Sequence, residues 1–200
     1  MITRPAFLAL IGGLALAGCA TAPGPVEVTR FVAPEASAQL GRGTIFVETA
    51  PGIDSDSLET APYKAAVARE LVSLGYVEAP RSTASQIAQV RVERFADAPV
   101  EKRGPVSVGV GGSTGSYGSG LGVGIGINLG GGPKEKVGTN IGVMIREAAT
   151  NQTIWEGRAE FAVGVKSPLA ATDANAATVA HALFREFPGN NGETIAVGVE

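Results

Sequence analysis

Side chains able to do chemistry are few in this chain and do not converge in sequence. There is one cysteine, Cys19, and one histidine, His181, among 200 residues. The common zinc sites need several such ligands and are excluded. His181 is the single imidazole base candidate. It falls two positions from both Val179 and Leu183, off the apolar face of its helix, with Arg185 as its i+4 neighbour, which reads as solvated surface. Asp54 and Asp56 open like a calcium loop, but Leu58 stands at the next ligand position and the glycine and closing glutamate are missing, so a loop preceding a helix is the better reading. No nucleophile elbow, zinc-binding helix or paired-carboxylate constellation can be assigned. No catalytic residue, metal ligand or cofactor is therefore expected. Lys102 with Arg103, and Lys134 to Lys136, read as solvated charge groups. The formal charge of −3, from 16 basic and 19 acidic residues, excludes a strongly basic nucleic-acid binder.

Cys19 differs because of what precedes it. Arg4 is the one positive side chain of the amino end, and residues 6–16 form an apolar run. That run fits the window of about 7–15 residues of a signal-peptide core and falls short of the ~20 of a spanning helix. Leu16, Ala17, Gly18 and Cys19 then resemble a bacterial lipobox. Small residues at 17 and 18 let an extended backbone enter a peptidase cleft, and Cys19 supplies the nucleophile for a thioether-linked diacylglycerol. The resemblance implies a signal peptide over 1–18, removed to leave Cys19 as the acylated first residue. Palmitate-type chains anchor durably, each buried methylene contributing about 0.8 kcal/mol. The competing readings are a cleaved secretory peptide with an incidental cysteine, or an uncleaved anchor helix. Lipidation leaves the thiol no redox or nucleophilic role, and a single cysteine excludes an internal disulfide framework. Ala20 replaces the aspartate that commonly retains lipoproteins in the inner membrane, so the expected location is the outer membrane, facing the periplasm. Residues 19–25 form the acylated terminus and a short stiff tether ending in Pro23, Gly24 and Pro25.

The remaining 26–200 reads as one domain, with an apolar fraction of 44% and a charged fraction of 18%, enough for a core. Alternation predicts strands over 26–31, 43–49, 87–95, 139–147 and 153–163, the last two pairing as a hairpin. In the second hairpin strand Trp155, Gly157, Ala159 and Phe161 point inward, Trp155 as core, while Glu156, Arg158 and Glu160 point outward. Residues 33–41 read as loop. Tyr63, Val67, Leu71 and Leu74 form the stripe of a helix with Thr60 as N-cap, Pro62 in its first turn and Gly75 past its end. A second helix spans about 173–187, with Ala176, Ala180, Leu183 and Phe187 on one face, and 192–199 adds a short terminal strand. The expected class is α+β: two layers, a mostly antiparallel sheet with two helices on one face, and a Gly-rich β-hairpin.

Glycine, 28 of 200 residues, is about twice its usual share. Over 106–132 it alternates with branched residues. Gly109 and Gly111 on one side, and Gly122, Gly124 and Gly126 on the other, flank a turn region holding Tyr117. No phosphate-loop register is completed. Three readings stay open: a core hairpin, a docking surface for an envelope protein or a second copy, and a membrane-inserting hairpin of an oligomer. The helix over 63–76, the Gly-rich middle, the segment Ile154 to Ala159 carrying Trp155 and Gly157, and the late helix running to Phe187 and Pro188 together resemble the domain-of-unknown-function 4136 family of bacterial lipoproteins, over roughly 26–188. Ser85 and Gln86 depart from that pattern, where a small residue and an aspartate would open the strand. The resemblance implies a small envelope α+β domain and carries no catalytic residues. The expected role is that of a non-enzymatic structural or interaction module, against which stand a small-ligand binder or enzyme and an oligomeric membrane-hairpin assembly.

Overall fold

The computed structural model describes residues 23–53, 57–97, 108–111, 122–125 and 135–199. The lipobox-like residues Leu16, Ala17, Gly18 and Cys19, the Asp54 and Asp56 pair, Tyr117 and Gly126 lie outside these residues. Strands β1 (Val26–Val32) and β2 (Thr44–Thr49) are followed by helix α1 (Ala61–Ser73), then β3 (Val77–Glu78) and β4 (Gln86–Asp97). The chain continues through β5 (Val108–Gly111), β6 (Gly122–Ile125), β7 (Lys136–Glu147), β8 (Thr153–Gly164), α2 (Thr172–Phe184) and β9 (Glu193–Val197). Seven strands form one sheet in the order β3-β2-β4-β7-β8-β1-β9, and β5 pairs with β6 separately. β2 runs parallel to both β3 and β4, and the other pairs are antiparallel. The α+β two-layer class holds. Parallel strands need a crossover, and α1 supplies it between β2 and β4.

Both helices pack on one face. Ile45, Ala88, Val90, Ile141, Val143, Ile145, Ala159 and Phe161 turn toward Tyr63, Val67, Leu71, Val179 and Leu183, all in one core. The inward set of β8 is the expected one, and the packing of its aromatic is specific. The Trp155 ring stacks on Phe184 at 5.4 Å and its Nε1 donates to Pro188 O at 2.9 Å. A Cβ on Gly157 would lie 2.2 Å from Trp155 Cη2 and 2.8 Å from Leu183 Cδ1. The glycine is thus the floor on which the indole lies beneath α2.

Three local expectations need correction. Thr60 precedes α1 but has helical dihedrals (φ −81°, ψ −25°) and no capping bond from its side chain; it is buried instead. Residues 34–39 of the expected loop form a 3-10 turn. α2 ends at Phe184, three residues before the expected Phe187, because Arg185 leaves the helical region and Glu186 has φ +60°. Gly75 does take the left-handed position, at φ +107°, and Tyr76 after it is buried, its hydroxyl donating to Gln86 Oε1 at 3.0 Å.

The early end of α2 leaves carbonyls that a helix terminus cannot satisfy internally. Arg30, on the inward face of β1 and fully buried, meets them. Its Nε donates to Leu183 O at 3.3 Å and its Nη2 to Ala182 O and Arg185 O. Its charge also complements the negative end of the helix dipole. Glu193 Oε2 lies 3.7 Å from Nη1. Burial pulls the Arg30 pKa down, and Glu193 and Glu186 oppose that. Replacing Arg30 by Met removes the donors and keeps bulk. The expected result is a loss of about 3 kcal/mol in urea unfolding, whereas an unchanged midpoint would show that the carbonyls are satisfied another way.

Burial pushes Tyr76 from its ordinary value of 10.0 up to about 12. The folded state therefore holds the phenol proton where the unfolded chain releases it. This contribution is fully present below pH 10 and is lost as pH rises from 10 toward 12, by up to about 1.4 kcal/mol per pH unit. Tyr76→Phe should cost about 1 kcal/mol at neutral pH, since Gln86 Oε1 loses its donor, and should flatten the alkaline decline in urea midpoints. A variant whose midpoints decline over that range as the wild type's do would show that Tyr76 does not carry it.

Candidate functional site

With α1 and α2 on one side, the outward side chains of β4, β7 and β8 form a second, solvent-facing surface. Cross-strand register arranges them in rows. One row runs Glu48, Gln89, Met144, Glu156 and Phe31 across β2, β4, β7, β8 and β1. The next runs Arg91, Gly142, Arg158 and Thr29. The third runs Glu93, Asn140, Glu160 and Glu27. A shallow concavity of about 420 Å³ lies over these rows, with Gly142, Asn140 and Met144 along its middle. Among the described residues the space above Gly142 is open: a Cβ there would meet none of them within 4 Å. Two arginines therefore flank a bare strip of backbone.

The charges pair locally. Arg158 Nη2 lies 2.6 Å from Glu156 Oε1, its Nε donates to the same oxygen at 2.8 Å, and its guanidinium sits 5.9 Å from the centroid of the Phe31 ring. Arg91 Nη1 is 3.7 Å from Glu93 Oε1. At the β2 margin, Gln89 Nε2 and Arg81 Nε donate to Glu48 at 2.9 and 2.8 Å. Burial pushes the Glu48 carboxyl up, but those donors and the Arg81 charge outweigh it and leave it below its ordinary value. Exposed pairs of this kind stabilise the fold little, which leaves their donors and acceptors exchangeable. Such a surface can take carboxylates or phosphates on its arginines and cationic groups on its glutamates.

The residues singled out by sequence fall elsewhere. Gly109 pairs with Gly124 and Gly111 with Gly122, while Val108 meets Ile125 and Val110 meets Val123. Glycine thus stands opposite glycine in an antiparallel pair, a register that the alternation within each strand does not by itself set. His181 is exposed and reaches α1, its Nδ1 3.4 Å from Glu70 Oε1. Trp155 is core. Sequence alternation marks Arg91 and Arg158 as outward, but only register reveals that they share a row with Gly142. The buried polar residues gave weaker signals. Tyr63 donates to Asn175 Oδ1 at 2.7 Å between the helices. Gln86 also donates to Gln39 O at 3.0 Å. Among the described residues no three His, Cys, Asp or Glu side chains group to hold a metal ion, and no helix is long and apolar enough to cross a membrane.

Gly142 and Gly157 lie on neighbouring strands, paired through Val143 and Arg158, and make a contrast. Gly142→Ala should leave stability unchanged or raise it by about 0.5–1 kcal/mol, the usual gain over glycine within a strand. Gly157→Ala must displace Trp155 and should cost about 2–3 kcal/mol. Urea unfolding of the two variants reads the difference, and equal midpoints would contradict the packing.

No protein-family model matches the chain, and no curated protein matches it. Among solved structures it is similar to a PDZ domain protein from Parabacteroides distasonis ATCC 8503, at 12% identity and a TM-score of 0.50, over 87% of this chain and 39% of that one. It is also similar to the PelC dodecamer from Paraburkholderia phytofirmans, at 14% identity and a TM-score of 0.42, over 79% of this chain and 96% of that one. The chain thus spans well under half the length of the PDZ domain protein, and at 12% identity that likeness is one of fold.

Proposed function

We propose that this chain is a lipid-anchored protein of the bacterial cell envelope, tethered through acylated Cys19, that works by contact rather than by turning over a substrate. The observation that carries the contact reading is the open sheet face. Both helices gather on the other side, and no described residue covers a charged surface with a bare centre at Gly142. The Gly-rich hairpin, with Gly109, Gly111, Gly122, Gly124, Gly126 and Tyr117, is the second contact element of this reading. The lipobox supports the anchor, and Ala20 supports the outer membrane.

A small-ligand reading draws on the volume of the concavity, about 420 Å³, within the ~300–1,000 Å³ of ligand pockets. Such pockets bury most of their ligand, however, and this concavity is spread over a sheet surface. The contact reading is therefore preferred.

Two measurements test it. Mass spectrometry of the full chain from the membrane fraction should find Cys19 first and acylated, with Cys19→Ala losing both the lipid and the membrane association. A mature chain that begins elsewhere, or carries no acyl mass, would refute the anchor. A photo-crosslinker placed at Gly142 should trap a protein in living cells, and one at Ser73, on the exposed side of α1, should not. Equal labelling at the two sites would refute the open face as the working surface.

A further inference from the structure

The open face is self-complementary in charge, and this names its occupant. The row of Arg91, Gly142 and Arg158 lies beside the row of Glu93, Asn140 and Glu160, on the same three strands and in the same order. A two-fold axis lying in the face between these rows, across the strands, exchanges them. Arg91 of one copy then meets Glu93 of the other, and Arg158 meets Glu160. Asn140 stands over the open space at Gly142. One row further out on either side, Met144 meets Gly138, whose surface is covered by the Phe95 ring: a Cβ on Gly138 would lie 2.3 Å from it. A thioether over an aromatic ring is a favourable contact. Phe95 is 48% exposed in the single chain, an apolar surface that this arrangement covers.

We infer that the open face binds a second copy of this chain, related by that two-fold axis, with the arginine row of each copy on the glutamate row of the other. The inference rests on the reading that this face is the working surface, and it supplies the partner. Isologous pairing of this kind is the commonest form of self-association, and stacked sheets align their strands to within about 30°. A patch four strands wide and four rows long covers on the order of 500 Å² in projection, from spacings of about 4.8 and 6.8 Å. A standard interface takes about 800 Å² per partner. The pair is therefore at the small, reversible end, where confinement of both copies to one membrane surface favours it.

Charge exchange tests the pairing. One variant carries Arg91→Glu and Arg158→Glu, the other Glu93→Arg and Glu160→Arg. All four side chains are exposed, so circular dichroism and urea midpoints should match the wild type. Differently tagged full-length copies are expressed together and copurified in mild detergent after brief crosslinking. Wild-type copies should copurify. Each variant with itself should fall by about tenfold or more, since like charges then face each other. The two variants together should recover the wild-type yield, because glutamates then face arginines in both rows. Wild-type copies that do not associate, variants that self-associate as the wild type does, or a mixed pair that is not restored would each overturn the inference. A different protein trapped at Gly142, with no second copy, would overturn it while leaving the contact reading standing.

Discussion

Arg30 stands on the inward face of β1 with Val26, Val28 and Val32, in a place where alternation calls for another apolar residue. Taking a guanidinium out of water costs several kcal/mol, and only a dense set of acceptors offsets that. The end of α2 provides them, as three carbonyls turned toward one side chain. The arrangement works in both directions. Without the arginine Leu183 O and Arg185 O would lose their side-chain donor, Ala182 O keeping only the Arg185 N–H, and without the helix end the arginine would be a stranded charge. Because Arg30 belongs to β1 and the carbonyls to α2, their pairing fixes where the helix layer sits on the sheet. Glu193 on β9 adds an opposite charge from the strand beyond. Gly189 leaves room for the side chain, since a Cβ there would lie 2.7 Å from Arg30 Cδ.

That anchorage explains how Trp155 comes to be held. The segment after α2 turns back at Arg185 and Glu186 and brings Phe187 and Pro188 over the indole, which they cover by a ring contact at 5.2 Å and by a carbonyl acceptor. Glycine does opposite work on the two faces of the sheet. On the covered face Gly157 gives up its side chain so that a large ring can lie flat. On the open face Gly142 gives up its side chain and no described residue fills the space. The first follows from packing density. The second has no packing reason among the described residues, which is why the open face draws the functional reading.

The electrostatics of the two faces differ for the same reason. Charges on the covered side are few, deeply held and tied to backbone, as at Arg30 and at Arg94, which donates to Ala170 O and to Thr172 Oγ1 at the start of α2. They position elements. Charges on the open side are paired with neighbours two residues along the same strand and remain in contact with water. These can change partners at little cost, as a contact surface requires.

Period-two alternation by itself determined the β7–β8 hairpin and its inward set, including a tryptophan lying across small residues. Period-four spacing determined α1, and Gly75 its end. These patterns are local, so each residue's face follows from its neighbours in the chain. The short terminal strand was legible in the same way. The alternation of glycine with branched residues within each strand around residues 109 and 124 was also a sequence reading, while the pairing of Gly109 with Gly124 came from register. Other features depended on residues far apart in the chain. The parallel pairing of β2, the burial of Arg30, the early end of α2 and the Gln86 contacts were decided by tertiary structure alone. Arg91 and Arg158 were legible as outward residues, but their meeting across Gly142 was not. That row needs the register of three strands at once, and register is set by where β4 and β8 dock on β7, a choice fixed only when the whole sheet closes over its core.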